Sequence, residues 1–280
     1  MQEDDGIKKT KPLDVRAAIH RTAWIARDIR EITLEFCEDP RALLGEPAKP
    51  AEFFSPVSPL PGQFVHIAIP GVFLRRPISI AGHDGRLLRL IVRRAGRGTD
   101  MLCSLPAGSE LRALLPLGNP FPLDEIKSIS DCGGDVWIVS GGIGLAPLLF
   151  LSGWAKESGI RLDSFAGFMD REKIFGVSEL EACGVCGLSI GGFVTDLITE
   201  SLKKRKPGLM IACGPAPMLA ALQKICGEHR IAAYASFEER MGCGIGACLV
   251  CNCGFHENGG FRYRRACIDG PVFSLSEASF

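Results

Sequence analysis

Four cysteines near the end of the 280-residue chain constrain it most: Cys243, Cys248, Cys251 and, after fifteen intervening residues, Cys267. The first three stand at C-x4-C-x2-C, the spacing with which one loop wraps a [2Fe–2S] cluster while a distant fourth thiolate closes it. Gly244 and Gly246 fit that chemistry, because glycine lets the backbone turn tightly and aim amide N–H groups at sulfur. Such a cluster moves one electron at a time, so the pattern points to electron handling. Zinc is the competing metal, but structural zinc sites usually present C-x2-C pairs rather than this triplet. A metal-free disulfide knot is the third reading.

The length accommodates two or three domains with real cores. Lysine plus arginine equals aspartate plus glutamate, 32 each. No basic excess speaks for a nucleic-acid partner, and the run Lys203, Lys204, Arg205, Lys206 reads as the solvated end of a helix. The first eleven residues are charged and lack the apolar region of a secretory signal. The most apolar stretch, 136–151, is broken by Gly141, Gly142, Gly144 and Pro147 and is too short for a membrane span. Twelve cysteines without an export signal imply reduced thiols and metal ligation, hence a cytoplasmic protein.

Three segments follow from the periodicity. In 14–119, short apolar or alternating runs at 15–19, 32–36, 64–69, 78–81, 87–92 and 110–114 are separated by Gly, Pro and Asp turns, which predicts a small antiparallel β-barrel. The Pro- and Ala-rich stretch 40–61 reads as a loop within it. In 120–236, strands at 136–139, 162–168, 188–190, 209–213 and 231–236 alternate with helices near 146–157, 195–204 and 216–226, the pattern of a parallel α/β sheet. The remainder, 237–280, carries the cysteines and little periodicity, so a metal centre would supply the stability its small core cannot.

Several strings suit ligands, each with a plainer reading beside it. Gly141-Gly142-Ile143-Gly144-Leu145-Ala146-Pro147 follows a buried strand and opens a helix, where glycines and free N–H groups suit a pyrophosphate; a tight structural turn is the alternative. Cys213-Gly214-Pro215 lies at another strand's C-terminal end, the ligand-binding edge of open α/β sheets. Cys213 could abut a nicotinamide or be an ordinary core thiol. Arg76-Pro77-Ile78-Ser79, then Arg93 and Gly96-Arg97-Gly98-Thr99, offer a guanidinium, hydroxyls and glycine N–H groups to flavin or phosphate oxygens, although such strings are also common in turns. Cys183 and Cys186 form a lone C-x2-C pair and read as incidental thiols; Cys253 reads as a neighbour of the ligands.

The order of these motifs, ending in Glu-Glu-Arg-Met-Gly-Cys-Gly-Ile-Gly-Ala-Cys and Cys267-Ile-Asp-Gly-Pro-Val-Phe, resembles the ferredoxin–NADP reductase superfamily over about residues 14–273. Within it the chain is similar to the electron-transfer subunits of class 1B dihydroorotate dehydrogenases. The resemblance implies an FAD-binding barrel over 14–119, an NAD-binding α/β domain over 120–236 and a [2Fe–2S] segment over 237–280. It implies that Arg76, Pro77, Ile78, Ser79, Ile91, Val92, Arg93, Gly98 and Thr99 bind FAD, with Arg76 on the pyrophosphate and Ser79 near the isoalloxazine. Gly142, Gly144, Gly214 and Pro215 would hold NAD, Cys213 would stand at the reacting nicotinamide, and Cys243, Cys248, Cys251 and Cys267 would ligate the cluster. The partner implied is an FMN-containing catalytic subunit that oxidises dihydroorotate in pyrimidine biosynthesis, two copies of each making a heterotetramer.

Two departures stand against the pattern: the insert at 40–61 is longer than expected, and the stretch 181–191 is shorter. Two other functions share features with this one. A flavin and iron–sulfur subunit of an NAD(P)H-dependent ferredoxin reductase or sulfide dehydrogenase has the same layout, and a zinc-bound adaptor module would use the cysteines without electron transfer. After the second α/β strand, Asp170 and Glu172 suit the ribose diol of NAD whereas Arg171 and Lys173 suit a 2′-phosphate; the resemblance favours NAD.

Overall fold

The computed structural model describes residues 12–37, 58–257 and 259–280, so 40–57 of the expected loop lies outside the described residues. Six strands, β1 (Leu13–Ala26), β2 (Ile29–Phe36), β3 (Phe64–Ala68), β4 (Arg76–Asp84), β5 (Leu87–Arg93) and β6 (Glu110–Leu117), close into an antiparallel barrel. Its order is β1-β2-β5-β4-β3-β6. Period-two alternation builds it: Val15, Ala17 and Ile19 of β1 enter the barrel core with Val65 and Ile67 of β3 and Leu88 and Leu90 of β5. The other face of β3 is buried too. Phe64 packs with Leu117 against Cys251, Cys267 and Phe273 of the C-terminal segment.

The second sheet joins five strands of the α/β region to β14 (Val272–Ser274) of the C-terminal segment, in the order β14-β11-β10-β7-β8-β9. Strands β7 (Val136–Gly141), β8 (Leu162–Phe168), β9 (Cys186–Ile190), β10 (Leu209–Cys213) and β11 (Ala232–Ser236) run parallel. Helices cover both faces, as a parallel sheet requires. Leu145, Leu148 and Leu149 of α3 (Leu145–Glu157) and Leu180 of α4 (Val177–Glu181) fill one side, in a core that also takes Ile29, Ala81 and Ile91 from the barrel. Ile198 of α5 (Val194–Leu202) and Leu219 and Leu222 of α6 (Ala216–His229) fill the other. The barrel and the sheet therefore share apolar packing.

Three features differ from the expectation. Residues 97–104 form a helix, α1 (Arg97–Ser104), where a turn was expected, and α2 (Leu123–Asp131) precedes the sheet. The C-terminal segment also has regular structure: a two-stranded ribbon, β12 (Asn252–Glu257) with β13 (Gly260–Arg265), and β14 (Val272–Ser274), which pairs antiparallel with β11. The closing segment is thus hydrogen-bonded into the α/β sheet. Asn119, at the join of barrel and sheet, grips it as well, donating through Nδ2 to the Asp269 carbonyl at 2.8 Å.

Candidate functional site

Residues 242–248 form a succession of bends without helix or strand. Gly244 (φ +75°) and Gly246 (φ +80°) occupy the left-handed region, which residues with a Cβ rarely adopt. Those turns aim backbone N–H groups at sulfur: Ile245, Ala247 and Cys248 donate to Cys243 Sγ at 3.5, 3.2 and 3.4 Å. Burial alone would raise the Cys243 pKa, but these N–H groups and the Cys248 thiol outweigh it and hold the group at about 7. Cys267 behaves oppositely. Burial and the adjacent Cys251 thiol push it up to about 12, against the single N–H of Gly246. Arg265 of β13 fixes the loop from outside, donating to the Gly246 carbonyl at 3.2 Å.

The four thiols therefore fall into two pairs, Cys243 with Cys248 and Cys251 with Cys267. Among the described residues no group of three or more His, Cys, Asp or Glu side chains surrounds a point that could hold a single ion. Two thiol pairs fit a two-iron cluster, in which each iron takes two thiolates, and N–H groups aimed at sulfur suit its negative charge. The inner pair, Cys251 and Cys267, is buried in the core shared with Phe64, while Cys248 is exposed.

Beside this loop a cavity of about 230 Å³ opens where the three segments meet. Pro77, Ile78 and Ser79 of β4, Ile91, Val92 and Arg93 of β5, and Thr99 of α1 line it. The nucleotide-type turn contributes Ile143 and Ala146, and the chain leading into the cysteine loop contributes Phe237, Glu238, Glu239 and Met241. Arg76 lies at the start of α1, so close to Gly98 that a Cβ there would sit 2.3 Å from Arg76 Nε. A guanidinium beside free N–H groups at a helix start favours an anion such as a pyrophosphate. Thr99 is already engaged: its Oγ1 accepts from the Ala95 and Gly96 N–H groups at 2.9 and 3.2 Å.

The two glycine-containing turns of the α/β sheet touch. A Cβ on Gly144 would lie 2.3 Å from the Cys213 carbonyl oxygen, so the turn after β7 packs directly on the turn after β10, which carries Gly214 and Pro215. Gly142, in the same turn, has open space around it. The Cys213 side chain is buried; burial, reinforced by the Glu238 carboxylate and only partly opposed by a hydrogen bond from Ser236, holds its pKa far above the ordinary thiol value. It is a neutral thiol, suited to packing rather than to attack.

Other sequence candidates lie apart. Cys183 donates to the Ser152 carbonyl at 3.1 Å, away from the cysteine loop, and burial raises Cys186 to about 11. Asp170 and Glu172 both pair with Arg27 of the β1–β2 turn, so neither carboxylate is uncommitted. Sequence reasoning missed Phe64, Phe237, Glu238 and Met241. The first was read as a strand residue; the Glu-Glu-Arg-Met string preceding Cys243 could have signalled Glu238 and Met241, and Phe237 only as its neighbour.

Residues 238–278 match the model of the iron–sulfur cluster binding domain of dihydroorotate dehydrogenase B. The electron transfer subunit of dihydroorotate dehydrogenase B (NAD(+)) from Shouchella clausii is 36% identical over 274 residues, which cover 94% of this chain and 96% of that protein. This chain belongs to that family of electron-transfer subunits. The Enterococcus faecalis family member is 39% identical over 232 residues, covering 78% of this chain and 86% of its own. Solved structures agree in fold. A chain of the NADH-dependent reduced ferredoxin–NADP oxidoreductase superposes with a TM-score of 0.75 at 24% identity, covering 94% of this chain and 89% of that one. Phthalate dioxygenase reductase, described as a modular structure for electron transfer from pyridine nucleotides to [2Fe–2S], gives 0.60 at 21% identity, over 90% and 77% of the two chains. This chain is an oxidoreductase subunit that carries electrons, built on a closed barrel and a parallel sheet.

Proposed function

We propose that this subunit serves an NAD-linked dihydroorotate dehydrogenase, relaying electrons between an FMN-bearing catalytic partner and NAD in pyrimidine biosynthesis. One observation carries the reading: a single cavity is walled by the β4–β5 strands of the barrel, by the turn after β7, and by residues 236–241 that run into the cysteine loop. Bound there, FAD can exchange two electrons with a nicotinamide as hydride and with an iron–sulfur cluster singly. The barrel over 14–119, the α/β domain over 120–236 and the segment over 237–280 are the three units of that relay.

Each residue set has a physical role in it. Arg76 pairs with the FAD pyrophosphate beside the start of α1, with Gly98 leaving room for the guanidinium and Thr99 holding the turn. Pro77, Ile78, Ser79, Ile91, Val92 and Arg93 bound the flavin ring, with apolar faces excluding water and Ser79 supplying a hydroxyl. Gly142, Gly144, Gly214 and Pro215 admit the dinucleotide to the sheet edge, and Cys213 stands as a neutral wall near the nicotinamide. Cys243 and Cys248 hold one iron, Cys251 and Cys267 the other. All twelve cysteines are unpaired, which supports work in a reducing compartment such as the cytoplasm. No described helix is long and apolar enough to cross a membrane.

Dihydroorotate oxidation belongs to the partner, and two copies of each chain form the working enzyme. Co-expression with the FMN subunit tests this: the complex should reduce NAD with dihydroorotate, whereas the isolated chain should not. Dihydroorotate oxidation by the isolated chain, or co-purification with a large amidotransferase-like flavoprotein in place of the FMN subunit, would overturn the proposal.

A further inference from the structure

His66 is a fully buried histidine in the wall between the flavin cavity and the cysteine loop. On β3, Val65 and Ile67 point into the barrel, so Phe64 and His66 face outward. Phe64 both lines the cavity and packs against the core of Cys251 and Cys267. His66 stands one step along the same face, opposite Pro77 of the cavity strand β4 and Leu114 of β6. Its ring abuts the first turn of the cysteine loop: a Cβ on Gly244 would lie 2.5 Å from Nδ1, 3.2 Å from Cε1 and 3.3 Å from Cγ. Glycine at 244 thus makes room for the imidazole as well as supplying the turn.

Neither ring nitrogen of His66 makes a hydrogen bond of ordinary length and angle, although buried polar side-chain atoms almost always find one; the backbone of Arg75 and of Cys243 approaches it. In either protonation state an imidazole presents at least one N–H donor to the groups around it. The side that meets the loop lies against the peptide of Cys243, the first cluster ligand. Outer-shell groups in such positions orient metal ligands and tune the metal.

We propose that His66 is a positioning residue for the iron–sulfur cluster: wedged between the cavity strand β4 and the Cys243–Gly244 peptide, it holds the first ligand in orientation and sets the cluster's properties through a polar contact. The inference rests on the iron–sulfur reading above. His66→Phe keeps a ring of similar size and removes the polar atoms; His66→Gln keeps a donor and an acceptor. Purified under anaerobic conditions and reduced with dithionite, the His66→Phe chain should retain iron and FAD but show altered g-values by electron paramagnetic resonance, a shifted midpoint potential, and about tenfold faster iron loss to a chelator, the low end for outer-shell partners. His66→Gln should restore the wild-type spectrum and bring iron loss back toward the wild-type rate. If His66→Phe does not fold, His66→Leu takes its place with the same expected spectrum.

An apolar variant with wild-type g-values, potential and iron release would overturn the proposal. So would a His66→Gln chain displaced as far as the apolar variant, since that would make the residue packing alone. Absence of any cluster signal from the wild-type chain is a separate result, which would overturn the iron–sulfur reading itself.

Discussion

The barrel and the cysteine loop lie against each other yet are ordered by different means. Side chains from β1, β2, β3, β4, β5 and β6 enter one continuous apolar core. In the loop, Ile245, Leu249 and Val250 are each more than half exposed. What the loop buries is sulfur, at Cys251 and Cys267, and what it organises is a set of N–H groups around Cys243. A region ordered by apolar burial loses stability in proportion to the atoms removed. A region ordered around ligand thiols should fail as a unit when one ligand or the metal is lost.

The largest expected effect is at the loop. Cys267→Ala should release most of the iron and speed amide exchange across 242–251, while the barrel keeps its flavin and its exchange protection; Cys183→Ala and Cys186→Ala should do neither. Iron and acid-labile sulfide assays with hydrogen-exchange mass spectrometry read both. Equal loosening of the barrel and the loop in Cys267→Ala would mean that one cooperative core orders both.

Next comes the barrel's own core. Leu90 is fully buried, and Leu90→Ala should cost roughly 2–5 kcal/mol, seen as a lower urea midpoint, while folded protein still binds iron in full. A cost below about 0.5 kcal/mol, typical of a surface site, would contradict the assignment of the core. Gly98→Ala should be milder in stability and selective in function. Its methyl would push Arg76 aside, so flavin retention should fall by about tenfold, or roughly 1.4 kcal/mol, with the iron unchanged. Fluorescence titration of the apoprotein with FAD measures it.

The smallest effect is a pH dependence at the seam of barrel and sheet. Burial lowers the pKa of His83, whose ring meets Phe150 of α3 edge-on at 5.5 Å. The unfolded chain, with its ordinary histidine near 6.5, takes up the proton before the folded one does. Stability from His83 is therefore complete above about 6.5 and declines as pH falls toward the folded pKa. Urea midpoints at several pH values should show that slope in the wild type and a flatter one in His83→Gln.

Legibility in the sequence follows the same division. Barrel strands and sheet strands were readable because period-two alternation and buried runs bounded by turn residues are local signals; β8 and β10 fall on the expected residues. α1 was not readable, because it starts at Arg97-Gly98 and glycine lowers helix propensity; its buried Leu102 and Cys103 pack on the barrel, so tertiary contact decides it. The β12–β13 ribbon escaped for a different reason. Phe261, Arg262 and Tyr263 face solvent, leaving no clean apolar stripe along β13. The cysteines proposed as ligands stand out by spacing alone, whereas the cavity wall made by Phe64, Phe237, Glu238 and Met241 depends on chain segments far apart in sequence meeting in space. His66 was invisible for the same reason: only the fold brings β3 against Gly244.

The central claim is that one chain holds a flavin and a two-iron cluster side by side, with the nucleotide turn on the flavin's far wall. Anaerobic addition of NADH to the purified chain, followed in parallel by visible absorption and by electron paramagnetic resonance, tests it most directly. The expected result is one FAD and two irons per chain, bleaching of the flavin band, and then a reduced [2Fe–2S] signal that Cys248→Ala lacks while its flavin still bleaches. Zinc in place of iron, or a cluster that stays oxidised after the flavin is fully reduced by NADH and is not reduced through it, would contradict the account.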